Sequence, residues 1–338
     1  MFVYVANAKS GNIAGFAAGA GDTVLRGLGP PVSTPSVPLA LAVDVRGRYL
    51  YVANFGADTI TALAIDGGDG HLSPVVMPPL HVPFPVSLVI VPGGRFLLAT
   101  EFVASRLSVY AIDERTGALR RVGEPVATGS YPRAVAAHPG GHFAFVANAR
   151  SADLTVFRVD ADSGVATRVG EPTPTGGDQP VALAVHGSGR WIYVVNKGSS
   201  SLSVFAFDPE GGTVKAAARP TPLRPGSAPG AVVIHPSGTH LYVGGENGLA
   251  VFHINPSDGA PTRGRQRTVD GLRPAALAVD PTGRFLYVAD AAGGKGWTFG
   301  TADGGGELVA VGAVALNGLA PAALVVAPSD GGPPSGKH

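Results

Sequence analysis

The sequence predicts an all-β fold, a seven-bladed β-propeller of four-stranded antiparallel blades, and three observations predict it. The first is the phrase Tyr-Val-Ala-Asn with its variants, which begins at Tyr4, Tyr51, Leu98, Phe145, Tyr193, Tyr242 and Tyr287, at spacings of 45 to 49 residues. The second is a proline opening an apolar run, at Pro38, Pro85, Pro132, Pro180, Pro229, Pro274 and Pro321. Seven copies of each, in step, give a period in the range of propeller blades. The third concerns closure. The chain starts inside a repeat, at Phe2-Val3-Tyr4-Val5, and ends its last apolar run at Ala327 without the strands that should follow. One blade must therefore combine that run with strands from residues 2 to 33, pairing the N- and C-terminal segments and leaving no open sheet edge.

Each repeat reads as four strands, A to D. Strand A, as in Pro274 to Asp280, is apolar almost throughout, which predicts an inner strand covered on both faces. Pro281-Thr282-Gly283 supplies a turn, and Arg284 to Asp290 is strand B. Strand C alternates in Asp153 to Val159, as a half-buried strand does, and strand D falls near Arg168 to Gly170. The 49 glycines and 30 prolines punctuate apolar runs instead of forming low-complexity tracts, so they read as turns. Residues 1–328 form one domain, and the polar Gly/Pro tail 329–338 is expected to be disordered.

Composition also excludes function classes. Net charge is +1 and the Lys and Arg residues are scattered, so no nucleic acid partner is expected. There is no cysteine, hence no disulfide, thiolate zinc site or Cys nucleophile. No apolar run reaches the roughly 18 residues of a membrane span, so no membrane partner is expected. The start lacks the charged and apolar regions of a signal peptide, and a cytoplasmic protein is the simplest expectation.

The Tyr-Val-Ala-Asn phrase and the Pro-x-Gly-Arg-x-Leu-Tyr-Val turn resemble those of the YVTN-type propellers and the related 6-phosphogluconolactonase-like lactonase family, over essentially the whole chain. The resemblance implies a seven-bladed ring. It also implies a site near the central channel, on the rim carrying the D–A and B–C connections. Some members hydrolyse or form lactones, while others are scaffolds without known chemistry. Members often carry a His near the start of one A strand and an Asn-Glu pair after a B strand. This chain has no such His, and its nearest match to the pair is Gly245-Glu246. Arg133, in Tyr131-Pro132-Arg133, matches a Pro-Arg element of the family.

The residues on that rim suggest chemistry. Of nine histidines, His138, His142, His186, His235 and His240 sit at A–B turns, whereas His81 falls in a D–A loop, where it would serve as general acid or base. The last position of the repeated phrase is Asn7, Asn54, Glu101, Asn148, Asn196, Gly245 and Asp290. Asn and Asp there satisfy turn backbone. Glu101 is a poorer turn former and stands out as a catalytic carboxylate. Arg133 and Arg273 flank opening prolines and offer a cation for a developing oxyanion or an anionic substrate. The expected site is thus His81, Glu101 and Arg133 for catalysis, with Asn148, Lys197, Arg273, Asp290, Phe102 and Trp297 binding substrate. Phe55, Phe102, Tyr131 and Trp297 would supply apolar walls.

No cofactor is implied and no metal is expected, although a calcium ion among Glu101, Asn148, Asn196 and Asp290 is geometrically conceivable. The leading expectation is a cofactor-independent lactonase-like hydrolase acting on a small cyclic ester or carboxylate-bearing metabolite. The alternatives are a non-catalytic scaffold binding a protein or metabolite, and an isomerase or cyclase.

Overall fold

The computed structural model describes residues 1–19, 24–78, 80–224, 226–264, 271–302 and 306–329. Its strands form seven antiparallel sheets, one per repeat, set as blades around a central channel. Blade 4 shows the plan: strand A is Pro132–Ala137, B is Phe143–Asn148, C is Asp153–Val159 and D is Ala166–Pro174. Blade 1 closes the ring as the two chain ends require. Strand A (Pro321–Ala327) runs antiparallel to strand B (Phe2–Asn7), with Phe2 opposite Ala327 and Ala6 opposite Ala323. Strand C is Asn12–Ala17, and Arg26–Gly27 with Val32–Ser33 make a divided outer edge. Beyond Ser329, the tail expected to be disordered lies outside the described residues.

The deepest strand is B, and not A. Tyr49–Asn54, Phe96–Glu101, Phe143–Asn148 and Trp191–Asn196 are buried at every position. The A strand Pro180–Val185 is buried only at its proline. The physical reason is the channel: A strands wall an open axis, while each B strand is covered on both faces by neighbouring blades.

Blade-to-blade packing explains much of the repeat. Phe2, Tyr49, Phe96, Phe143 and Trp191 open successive B strands, and each ring lies against a glycine in the next blade's C–D turn, respectively Gly70, Gly117, Gly164, Gly212 and Gly259. A Cβ there would strike the ring, and all five glycines have positive φ, so two constraints select glycine at once. Tyr4, Tyr51 and Tyr193 donate hydrogen bonds of 2.7, 3.0 and 2.7 Å to the carbonyls of Gly70, Gly117 and Gly259. At the same rim, His186 Nδ1 and His235 Nδ1 accept from the backbone of Ser188 and Ser237. Their Nε2 atoms therefore donate to the carbonyls of Gly238 and Gly283 in the next blade, at 3.0 and 2.7 Å. These A–B histidines are struts between blades.

Candidate functional site in the central channel

The site begins with a backbone irregularity. Just past the opening proline, strand A slips one residue against strand B in six blades, squeezing Leu39, Val86, Arg133, Val181, Ala275 and Ala322 out of pairing. Bulges of this kind re-aim a side chain. All six residues, with Gly230 at the matching place after Pro229, line one central cavity of about 610 Å³. Arg133 is the one charged residue of that ring. The residues before the opening prolines add strain on the same rim: Val37, Phe84, Tyr131, Gln179, Ala228 and Ala320 all hold φ between 36 and 57°. Non-glycine residues in this region cost on the order of 1 kcal/mol or more each, and such strain gathers where loops build sites.

Three more charged side chains reach the cavity from connections in blades 5 to 7: Lys197 and Glu246 from B–C turns, and Arg273 from just before Pro274. All four are open to the channel's solvent, and among the described residues none forms an ion pair. The channel wall still removes part of the water around Arg133, and this partial desolvation lowers its pKa below the usual guanidinium range. It remains a cation at neutral pH. Its guanidinium carbon lies 5.6 Å from the centre of the Phe102 ring. Three undercompensated cations around one carboxylate make a cavity that attracts anions.

Of the residues expected at the site, Arg133, Lys197 and Arg273 meet in this cavity. Phe102 lines an adjoining pocket of about 470 Å³, whose wall shares Arg133 and Val181 with the channel. Asp290 and Trp297 line a separate pocket of about 280 Å³. Asp290 is buried, accepting backbone hydrogen bonds of 3.0 Å from Arg273, Ala292 and Gly293. It therefore orients the segment that carries Arg273.

His81, Glu101 and Asn148 lie outside the channel cavity. His81 is exposed, its backbone bridging to Thr59 and its carbonyl accepting from Arg121 at 3.2 Å. Asn148 is fully buried and donates to Thr155 Oγ1 at 2.8 Å and to Asp153 Oδ1 at 2.6 Å. Glu101 is 2% exposed and accepts from the Ser108 hydroxyl, seven residues on. Asn54, Asn148 and Asn196 reach the corresponding hydroxyls of Thr61, Thr155 and Ser203 with the direction reversed, donating from Nδ2. Glu101 thus fills the structural post of the asparagines it replaces.

The carboxylate in the channel is Glu246, which the sequence marks by the break at Gly245. A Cβ at Gly245 would strike the Ser227 carbonyl and come within 2.8 Å of Pro229 Cα. Glycine lets that loop close in, and the Glu246 amide donates to the Ser227 carbonyl at 2.7 Å. Among the described residues, no group of three or more His, Asp or Glu side chains is placed to hold a metal ion, and no helix is long and apolar enough to cross a membrane.

Comparison with known proteins agrees with this architecture. The family model described as lactonase, seven-bladed β-propeller, matches residues 83–183 and 173–318. The chain belongs to this lactonase propeller family. The structure is similar to the periplasmic gluconolactonase of Pseudomonas aeruginosa, with TM-score 0.79 at 20% identity, covering 97% of this chain and 99% of that one. A candidate 6-phosphogluconolactonase from Bacteroides uniformis gives TM-score 0.83 at 17% identity, over 96% and 98%. Hydrazine synthase of Kuenenia stuttgartiensis gives 0.63 at 19% identity, over 85% and 88%. At these identities the likeness establishes the shared propeller fold alone. No curated protein matches the chain by sequence.

Proposed function

We propose that this lactonase-family propeller hydrolyses a small anionic lactone at the mouth of its channel. The observation that carries the reading is the bulge ring, which aims six apolar or glycine positions and one arginine into a single cavity beside Glu246, Lys197 and Arg273. Arg133 offers N–H donors to the lactone carbonyl oxygen and stabilises the oxyanion formed on attack. Glu246 accepts a proton from water as its oxygen bonds to the carbonyl carbon. The tetrahedral adduct then breaks its ring C–O bond, and the departing alkoxide takes that proton back from Glu246, giving a hydroxy acid. Lys197 and Arg273 hold an anionic substituent of the substrate. The family membership and the gluconolactonase neighbour support a lactone as the small molecule.

The test is a pH-stat screen of sugar and aliphatic lactones, with Glu246→Gln beside the wild type. Acid release by the wild type, reduced about 100-fold or more in the variant, is the expected result. An absence of turnover on every lactone, or full activity in Glu246→Gln, refutes the assignment.

A further inference from the structure

The seven-fold repeat contains its own control for what each rim position needs structurally. At the residue following the buried ring position, blades 1, 4 and 7 carry Ala8, Ala149 and Ala291, so the fold is satisfied by alanine there. Blades 2 and 3 carry Phe55 and Phe102 instead. Before the opening proline, blades 1 and 6 carry Ala320 and Ala228, whereas blades 3 and 4 carry Phe84 and Tyr131. These four half-buried rings form one continuous arc. Phe84 and Phe55 are 5.3 Å apart between ring centres, Phe55 and Phe102 are 6.3 Å apart, and Phe102 stacks on Tyr131 at 4.7 Å. The charged residues occupy the other arc, through blades 4 to 7. The two arcs meet at Arg133.

The adjoining pocket of about 470 Å³ lies at this junction. Phe102, Tyr131, Ala149, Ala152 and Val181 give it apolar walls, and Arg150 stands over the Tyr131 ring at 5.3 Å. Arg133 and Val181, neighbouring bulge residues, belong to both cavities, so a ligand anchored at Arg133 in the channel can extend directly into the second space. Pockets of this size and lining take flat apolar groups, which aromatic rings and guanidinium planes both contact favourably.

We propose that the pocket is a subsite for an aromatic group borne by the substrate, whose anionic part binds at Arg133 in the channel. The inference rests on the reading above only in naming that occupant a substrate. The substrate is then bipartite, an oxygen-rich ring or carboxylate in the channel and an aryl group beside Phe102.

Calorimetric titration with 4-phenylbutanoate, 4-cyclohexylbutanoate and butanoate tests this without turnover. The wild type should bind the phenyl compound about tenfold or more tighter than butanoate, and tighter than the cyclohexyl compound. Phe102→Ala should abolish that gain. Ala149→Leu, which fills the pocket and leaves the aromatic arc in place, should abolish it too and covers the case in which Phe102→Ala fails to fold. Equal binding of phenylbutanoate and butanoate overturns the proposal, as does a phenyl gain that survives in Ala149→Leu. A failed lactone screen with the phenyl gain intact refutes the hydrolase and supports the subsite.

Discussion

Arg133→Met removes the one charge from the bulge ring while keeping a long apolar side chain where the ring elsewhere carries Leu39, Val86 and Val181. The fold should tolerate it. No ion pair is broken, and the loss of the contact over Phe102 costs about 0.5–1 kcal/mol. Net stability should therefore move by less than about 1 kcal/mol, within the range of a benign substitution. Catalysis should not tolerate it. Loss of a donor at a developing oxyanion costs roughly 100- to 1,000-fold in kcat, or about 2.7–4 kcal/mol. Arg133→Lys keeps the charge without the planar fork and should fall between the two. The assay is pH-stat hydrolysis of the best lactone, paired with thermal denaturation of each variant. A folded Arg133→Met protein whose kcat stays within about threefold of the wild type would show that the arginine does not meet the transition state.

Three further outcomes follow from the structure. Gly245→Asn installs the residue used by other blades, but its Cβ collides with the Ser227 carbonyl; stability should drop by about 1–3 kcal/mol and lactone turnover should fall as Glu246 shifts, read by melting and pH-stat. Tyr193→Phe leaves the buried Gly259 carbonyl without its donor and should cost about 1–2 kcal/mol in denaturant titration, with kcat unchanged. Burial, more than the nearby His142, holds the His138 pKa below its ordinary value, so the unfolded chain takes up the proton first. The stability this contributes is present above the unfolded pKa of about 6.5 and is lost as pH falls from there through the lowered folded pKa. The wild type should thus lose more melting temperature than His138→Asn between about pH 7.5 and 5.5.

The fold was legible because it is written seven times, and because apolar runs joined by glycine and proline turns leave a propeller as the natural solution. Blade closure followed from strand counting alone. Arg133 was legible from its place beside Pro132, yet the reason it reaches the channel was not, since a one-residue register slip leaves no trace in apolar alternation. The depth of strand B over strand A was hidden for a related reason: both are apolar, and only the ring shows which faces the axis. Glu101 stood out as a carboxylate among asparagines; the structure buries it away from the channel cavity, where it accepts from the Ser108 hydroxyl. Glu246 was marked by the break at Gly245, and aligning the residue after that position in every repeat, Ala8, Phe55, Phe102, Ala149, Lys197, Glu246 and Ala291, separates it at once.

The pairing of Phe2–Asn7 with Pro321–Ala327 sets a timetable for biosynthesis. Phe2–Asn7 leaves the ribosome well before its partner Pro321–Ala327, and at about 5–20 residues per second that wait is roughly 15 to 65 seconds. Meanwhile an apolar strand paired with Asn12–Ala17 on one edge and free on the other must avoid wrong partners, while later blades assemble on one another. Joining ends so distant carries a loop-closure entropy of roughly 5 kcal/mol plus a constant, so completion of the ring should be the slow, late event of folding. A permuted gene that opens the chain at an A–B turn would make blade 1 contiguous and move that vulnerable interval to another blade.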